Sequence, residues 1–391
     1  MAQGPRLLLA AENRFSGETG FRAESPDASS DSSLYPYLLL NRYDGDRRIS
    51  VSELWDTEAA TRIHDWRFET VDEVWDGSSL QSMINFRINS GGSLFRNFNA
   101  LLRRDGSLLT HSFSPLLLMD SCSNIELVQD DAIYHHSVET DAKGYIWAPS
   151  HLEPKTVEIG SRRFLDDAVN RISPKGKVVF SKSVIALLAE NQLGHLIYGV
   201  GPAPNDDPIH LNDIEPVLSD GPFWKAGDVF LSLRHQSMVL LYRPATNEVI
   251  WHRQGPWVHQ HDVNIINDHK ISVFNNNAYS IGAGQYEVKG SNDLMVYDFE
   301  TQSVTSPWKS AFEKLEIRTI TEGRGTPIGE EVMVEESNYG RVLQFDKSGN
   351  VRWQYVNRAS DGKIYILKWS RLVSRELGDK VSEVVKNRKC S

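Results

Sequence analysis

Residues 210–251 read HLNDIEPVLSDGPFWKAGDVFLSLRHQSMVLLYRPATNEVIW. Within it Val229, Leu231 and Leu233 alternate with Phe230, Ser232 and Arg234, the two-residue period of a β-strand. The stretch as a whole is an apolar strand, a Gly- and Asp-containing turn, a second strand, then a hairpin and a strand that ends on tryptophan. The same plan recurs outward in both directions. It is seen in SELWDTEAATRIHDW (52–66), RRDGSLLTHSFSPLLLMD (103–120), and HHSVETDAKGYIWAPSH (135–151) followed by DAVNRISPKGKVVF (167–180). Downstream copies are HDVNIINDHKISVFNNN (261–277) with NDLMVYDFETQSV (292–304), and GEEVMVEESNYGRVLQFDKSGNVRWQYV (329–356). Asp105-Gly106, Lys143-Gly144, Lys175-Gly176 and Ser348-Gly349 supply hairpin turns at matching offsets.

Repeats of roughly 40 residues, each a small antiparallel sheet, are the signature of a β-propeller. The fold expected is all-β, a six-bladed β-propeller with short helical insertions and a C-terminal helix. A sandwich would not account for the repetition. Residues 1–34, polar over GETGFRAESPDASSDSS, are expected to form a mobile lead-in. Residues 35–369 form the propeller and 370–391 a C-terminal helix and tail. SVIALLAENQLGHLIYG (183–199) reads as a helical insertion between blades.

Composition narrows the functions open to the chain. Its net charge is −10, with no lysine- or arginine-rich run, so no basic surface is offered to a phosphate backbone and nucleic acid is not an expected partner. The short apolar run Leu7–Ala11 is too brief for a membrane span or a signal-peptide core. Cys122 and Cys390 make neither a disulfide framework nor a zinc motif, and whether they pair is open.

The chemistry-bearing residues cluster at the starts of repeats: His135 and His136, His210, Arg234, and His259 and His261. In a propeller such positions converge from blades far apart in sequence. Imidazoles around one guanidinium suit a tetrahedral anion and provide a nitrogen nucleophile. Strand alternation pairs His210 with Asn212 and His259 with His261 on common faces, and sends His135 and His136 opposite ways. Asp213 and Asp262 are read as turn groups or orienters of an imidazole. An arginine among the ligands would repel a cation, so no metal or other cofactor is expected in this set.

The order and spacing of HHSVETDAKGYIW, HLNDIEPV, GDVFLSLRHQSMVLLYRP, WVHQHDVNIINDHKISVFNNN and EESNYGRVLQFD resemble the bacterial arylsulfate sulfotransferase family, the branch independent of adenylyl-sulfate (PAPS) donors. The resemblance implies a six-bladed propeller that moves a sulfuryl group from one phenol to another through a sulfated histidine. By that resemblance His261 matches the nucleophile, and His136, His210 and Arg234 match the residues around the sulfuryl oxygens. Asn212 matches a neighbouring polar contact. His135, His259, Arg324, Asn338 and Tyr339 are further substrate-binding candidates, and Phe223, Trp257, Tyr339 and Tyr355 are candidate aromatic walls. His235 stands where the family pattern calls for asparagine.

The partners implied are a small aryl sulfate donor and a phenolic acceptor, with a homo-oligomer left open. Family members are exported or membrane-anchored, whereas this chain shows no signal peptide; a shortened start and a cytoplasmic member both fit. The rival reading is a non-catalytic propeller that binds a sulfated or anionic ligand or a protein partner.

Overall fold

A computed structural model describes residues 9–10, 13–15, 17–23, 34–68, 97–112, 114–159, 164–198, 206–282 and 285–390. The chain is a six-bladed β-propeller, each blade an antiparallel sheet built on four strands. Blade one is Tyr37–Asp44, Ile49–Asp56 and Thr61–Arg67, with Arg371–Val373 added on the free edge of its first strand. Blade two runs from Phe98–Leu102 to Ile125–Gln129. Blade three contains Ile146–His151, Asp167–Ile172 and Val178–Ser183, with two short strands, Ile133–Tyr134 and Glu139–Thr140, sharing the edge of the first.

Blade four is Leu211–Pro216, Val229–Leu233, Met238–Arg243 and Glu248–Gln254. Blade five is His261–Ile265, Lys270–Asn275, Asp293–Asp298 and Ser303–Thr305, interrupted by a separate hairpin, Ala278–Gly282 with Gln285–Val288. Blade six runs from Arg324–Ile328 to Val351–Val356 and gains Gly20–Ala23 as a fifth strand. Two compact units are distinguishable. One holds blades one, two and six, and the other, Asp131–Lys289 with Leu294–Ser306, holds blades three, four and most of five.

The hairpins form where the sequence places them because local side chains accept the turn's own amides. Asp141 Oδ1 accepts from the N–H groups of Lys143 and Tyr145, and Asp346 Oδ1 from Ser348 and Asn350. The glycines that follow, Gly144 at φ 76° and Gly349 at φ 72°, occupy the left-handed region that a side chain resists. Trp66, Trp147 and Trp353 are fully buried, each worth roughly 1.5–3 kcal/mol of apolar burial. Each indole N–H finds an acceptor: the Gly106 carbonyl, Asp141 Oδ2 and Gln344 Oε1. Phe223, Trp257 and Tyr355 also pack into inter-blade cores, so the first two fill the seam between blades four and five instead of walling a pocket.

The helical insertion is real: Ser183 caps α1 (Val184–Glu190), and α2 (His195–Tyr198) follows. A short α3 (Lys309–Lys314) lies in the other unit. The two terminal boundaries need correction. Residues 20–23 are a strand, because Gly20 to Ala23 pair in register with Val356 to Trp353; residues 24–33 of the expected lead-in lie outside the described ones. Likewise residues 371–373 belong to blade one and not to a tail. Only then does Ser374 cap α4 (Arg375–Asn387). Gly378 faces the Tyr37 ring so closely that a Cβ there would sit 2.0 Å from it, which explains a glycine inside this helix. Tyr37 Oη donates to Asp379 at 2.5 Å on the same contact. Among the described residues no helix is long and apolar enough to cross a membrane.

Cys122 and Cys390 form a disulfide that closes 268 residues of chain and fastens the end of α4 to blade two, beside an Arg388–Asp120 ion pair at 2.5 Å. Replacing Cys390 with Ser is expected to lower unfolding free energy by about 2–4 kcal/mol. Denaturant unfolding of the oxidised wild type beside the variant checks this, and equal midpoints would contradict it.

Candidate active site

Blade three opens with His135 and His136. Alternation predicts that they diverge, yet His136 has φ 59°, a left-handed turn that brings the two rings together. Their Nδ1 atoms share a hydrogen bond at 2.8 Å. His135 is buried and turned toward Asp167, whereas His136 is half-buried with its ring 4.9 Å from that of His210. His135 therefore backs His136 and does not share its outlook.

Blade four supplies the next three groups. His210 lies just before the first strand at φ 54°, and Asp207 Oδ2 accepts from its Nδ1–H at 2.5 Å. Arg234 begins the 3₁₀ turn Arg234–Gln236, where its backbone N–H donates to the His210 carbonyl at 3.1 Å, so one backbone bond sets the two side by side. His235 is the buttress. Its Nδ1–H donates to the Asp207 carbonyl at 2.6 Å, which leaves the Nε2 lone pair to accept from Arg234 Nη1 at 2.8 Å. The remaining edge of the guanidinium, Nε and Nη2, is buried and finds no acceptor among the described residues. Such an edge is shaped to fork onto two oxygens of one anion.

The expectation that His210 and Asn212 share a face fails, because a bulge between Leu211 and Asp213 resets the alternation. Asn212 is fully buried and its amide donates to the Gln260 carbonyl at 2.7 Å. Asp213 is an inter-blade tie that accepts the Val263 N–H at 2.7 Å.

In blade five His261 starts the first strand and is fully buried. Asn276 Oδ1 accepts from its Nδ1–H at 2.6 Å, so the lone pair sits on Nε2. Burial, and then the Arg234 charge, hold the His261 imidazole well below the usual histidine range, with His210 and His259 adding to the effect. His259 lies outside the strand at φ 51° and donates its Nδ1–H to the Ala278 carbonyl at 2.6 Å. Its ring meets Tyr286 at 5.2 Å, and Tyr286 also lies under the Arg234 guanidinium at 4.8 Å.

This unit thus brings together His136, His210, Arg234, His259 and His261. Arg324, Asn338 and Tyr339 belong to the other unit, where each is engaged by the fold. Asn338 Oδ1 accepts from Thr319 Oγ1 and from the N–H groups of Ile320 and Thr321. Tyr339 is buried in a cluster with Phe15, Val356 and Ile364, with Arg14 over its ring. Arg324 is buried, its guanidinium 5.7 Å from the Trp369 ring.

Asp207, Asn276 and Tyr286 escaped the sequence reading, and His235 was noted there only as a departure from the family pattern. The DxxH spacing of Asp207 and His210 and the asparagine run Asn275–Asn277 were the only signals on offer.

Residues 120–358 match the profile of the arylsulfotransferase (ASST) family. No curated protein matches the sequence. Among solved structures, a protein of unknown function from Bacteroides caccae is 8% identical and superposes with a TM-score of 0.52, over 86% of this chain and 98% of its own. The Dos1 propeller (8% identical, TM-score 0.41, 84% and 71% covered) and the Neurospora crassa Pan2 WD40 domain (10%, 0.43, 90% and 93%) also match.

Several of these imidazoles are neutral in the fold below the pH at which a free histidine protonates. Burial, then His210, pushes His235 down to about 4, and burial first also lowers His259 and His261. Between pH 6.5 and the folded values the unfolded chain binds more protons, so stability falls as pH falls. Thermal unfolding is expected to drop steadily from pH 7 to pH 5, and less steeply in His235→Asn. A flat profile in the wild type would contradict the buried-neutral assignment.

Proposed function

The chain belongs to the arylsulfotransferase family, and on that premise we propose that it moves a sulfuryl group from an aryl sulfate to a phenolic acceptor through a sulfated His261, with no nucleotide donor. One observation carries the reading. Asn276 keeps the His261 proton on Nδ1, while burial and Arg234 keep the ring neutral, so Nε2 is a nucleophile at neutral pH.

In the first half-reaction the Nε2 lone pair attacks sulfur as the bond from sulfur to the aryl oxygen breaks. Charge on the sulfuryl oxygens is met by Arg234 Nε and Nη2, fixed in direction by His235. We assign the proton-carrying role to His210, backed by the Asp207 carboxylate, with His136 against it. His210 gives an Nε2 proton to the departing phenolate, while its Nδ1 proton stays with Asp207. It then takes one from the incoming phenol, whose oxygen attacks sulfur and returns His261 to the neutral form. Tyr286, half-buried between Arg234 and His259, is the aromatic surface for the aryl ring. The two half-reactions share one site, so ping-pong kinetics follow.

With 4-nitrophenyl sulfate and no acceptor, a stoichiometric burst of nitrophenol is expected, along with a gain of about 80 Da (SO3) on the peptide carrying His261. His261→Asn should abolish both, and Arg234→Lys should reduce kcat by roughly 10²–10³-fold. Sustained turnover in His261→Asn would reject the assignment. A non-catalytic anion-binding propeller would release no phenol at all.

A further inference from the structure

Blade three holds a second polar cluster, on the far side of His135 from His136, that sulfuryl transfer does not use. His135 Nε2 and His151 Nε2 approach the same oxygen, Asp167 Oδ1, at 3.4 and 3.1 Å. The two imidazole rings are 4.3 Å apart, and the three atoms all lie within 4.8 Å of one another. His135 Nε2 and Asp167 Oδ1 are buried, yet neither makes a hydrogen bond among the described residues. Buried polar atoms that face each other without hydrogen-bond geometry call for a third body between them.

The other ends of His135 and Asp167 are already committed. His135 Nδ1 is bonded to His136, and Asp167 Oδ2 accepts the Leu211 N–H at 2.7 Å. What remains facing inward is two ring nitrogens and one carboxylate oxygen. The supports are rigid: His151 and Asp167 are direct partners across antiparallel strands, and the His135 N–H donates to the Pro149 carbonyl at 3.1 Å. Ligands about 2.0–2.1 Å from a tetrahedral ion stand about 3.3 Å from one another, which matches the observed contacts.

We propose that His135, His151 and Asp167 form a binding site for one zinc-type transition-metal ion, with a further coordination position on the solvent side of His151. Two imidazoles and one carboxylate suit zinc or its first-row neighbours, whereas calcium and magnesium call for an oxygen shell. His136 and the Leu211 amide hold the ligands from behind, as outer partners do in metal centres. His151, with its side chain 18% exposed, gives the ion a way in. The two comparable clusters among the described residues lack these features. In Asp207–His210–His235 both Nδ1 atoms already donate to Asp207 and the Arg234 cation adjoins. In His269–Asp298–Glu300 the Asp298 carboxylate already pairs with Lys270 at 3.4 Å.

The inference stands apart from sulfuryl transfer, and its test reads metal and not turnover. Chelator-stripped full-length protein is dialysed against Co2+, and bound metal and the visible cobalt bands are measured before and after competition with Zn2+. One equivalent is expected, displaced by zinc, with affinity at least about tenfold weaker in His151→Ala and Asp167→Asn and unchanged in His269→Ala. Should Asp167→Asn fail to fold, His151→Ala carries the test alone, since that side chain is partly exposed. Equal binding by wild type and His151→Ala, or no stoichiometric binding by the wild type, overturns the proposal.

Discussion

The placement of the imidazoles depends on buried carboxylates that each accept a backbone N–H from the first strand of the next blade. Asp167 of blade three takes the Leu211 N–H and Asp213 of blade four takes that of Val263. Ser137 Oγ adds a tie of the same sense by accepting the Ile214 N–H, and the Asn212 amide adds one of the opposite sense by donating to the Gln260 carbonyl. A buried carboxylate stripped of such a donor would keep its desolvation penalty, so the bonds are costly to lose. They act one residue from His210 and two from His261. Blade registry and site geometry are therefore a single constraint in this unit.

A second regularity follows from where the ring protons lie. In His210, His235, His259 and His261, Nδ1 faces a fixed acceptor: a carboxylate, two backbone carbonyls and an amide oxygen. Each ring thereby presents Nε2 as its working nitrogen, and in His235 that nitrogen steers Arg234. Of these, His235, His259 and His261 are held below the usual histidine range beside one permanent cation, Arg234. Burial enforces this, since a second positive charge beside the guanidinium would be doubly penalised.

How much of this was legible from sequence follows from how locally each feature is encoded. The blades were legible because each hairpin carries its own instruction, as in Asp141 to Gly144 and Asp346 to Gly349, where side chain and backbone close the turn within five residues. The grouping of His136, His210, Arg234 and His261 was legible because a repeat puts equivalent positions near one another. The facing of individual rings was not. Residues at φ near 50–60° and the bulges at Asn212 and Asp262 break the two-residue period where the histidines sit. Asn276 and Tyr286 act across 15 and 25 positions from His261, and nothing local marks them. The terminal strands escaped for a related reason: Gly20–Ala23 and Arg371–Val373 are too short for periodicity and exist only through partners more than 300 residues away.

That last pairing bears on how the molecule is made. The sheet that begins at Tyr37 keeps a bare edge until Leu372 and Val373 reach it. A ribosome must therefore deliver the chain through Val373 before this blade is complete. Until then the nascent chain carries an open β-edge, the kind of surface that recruits other strands.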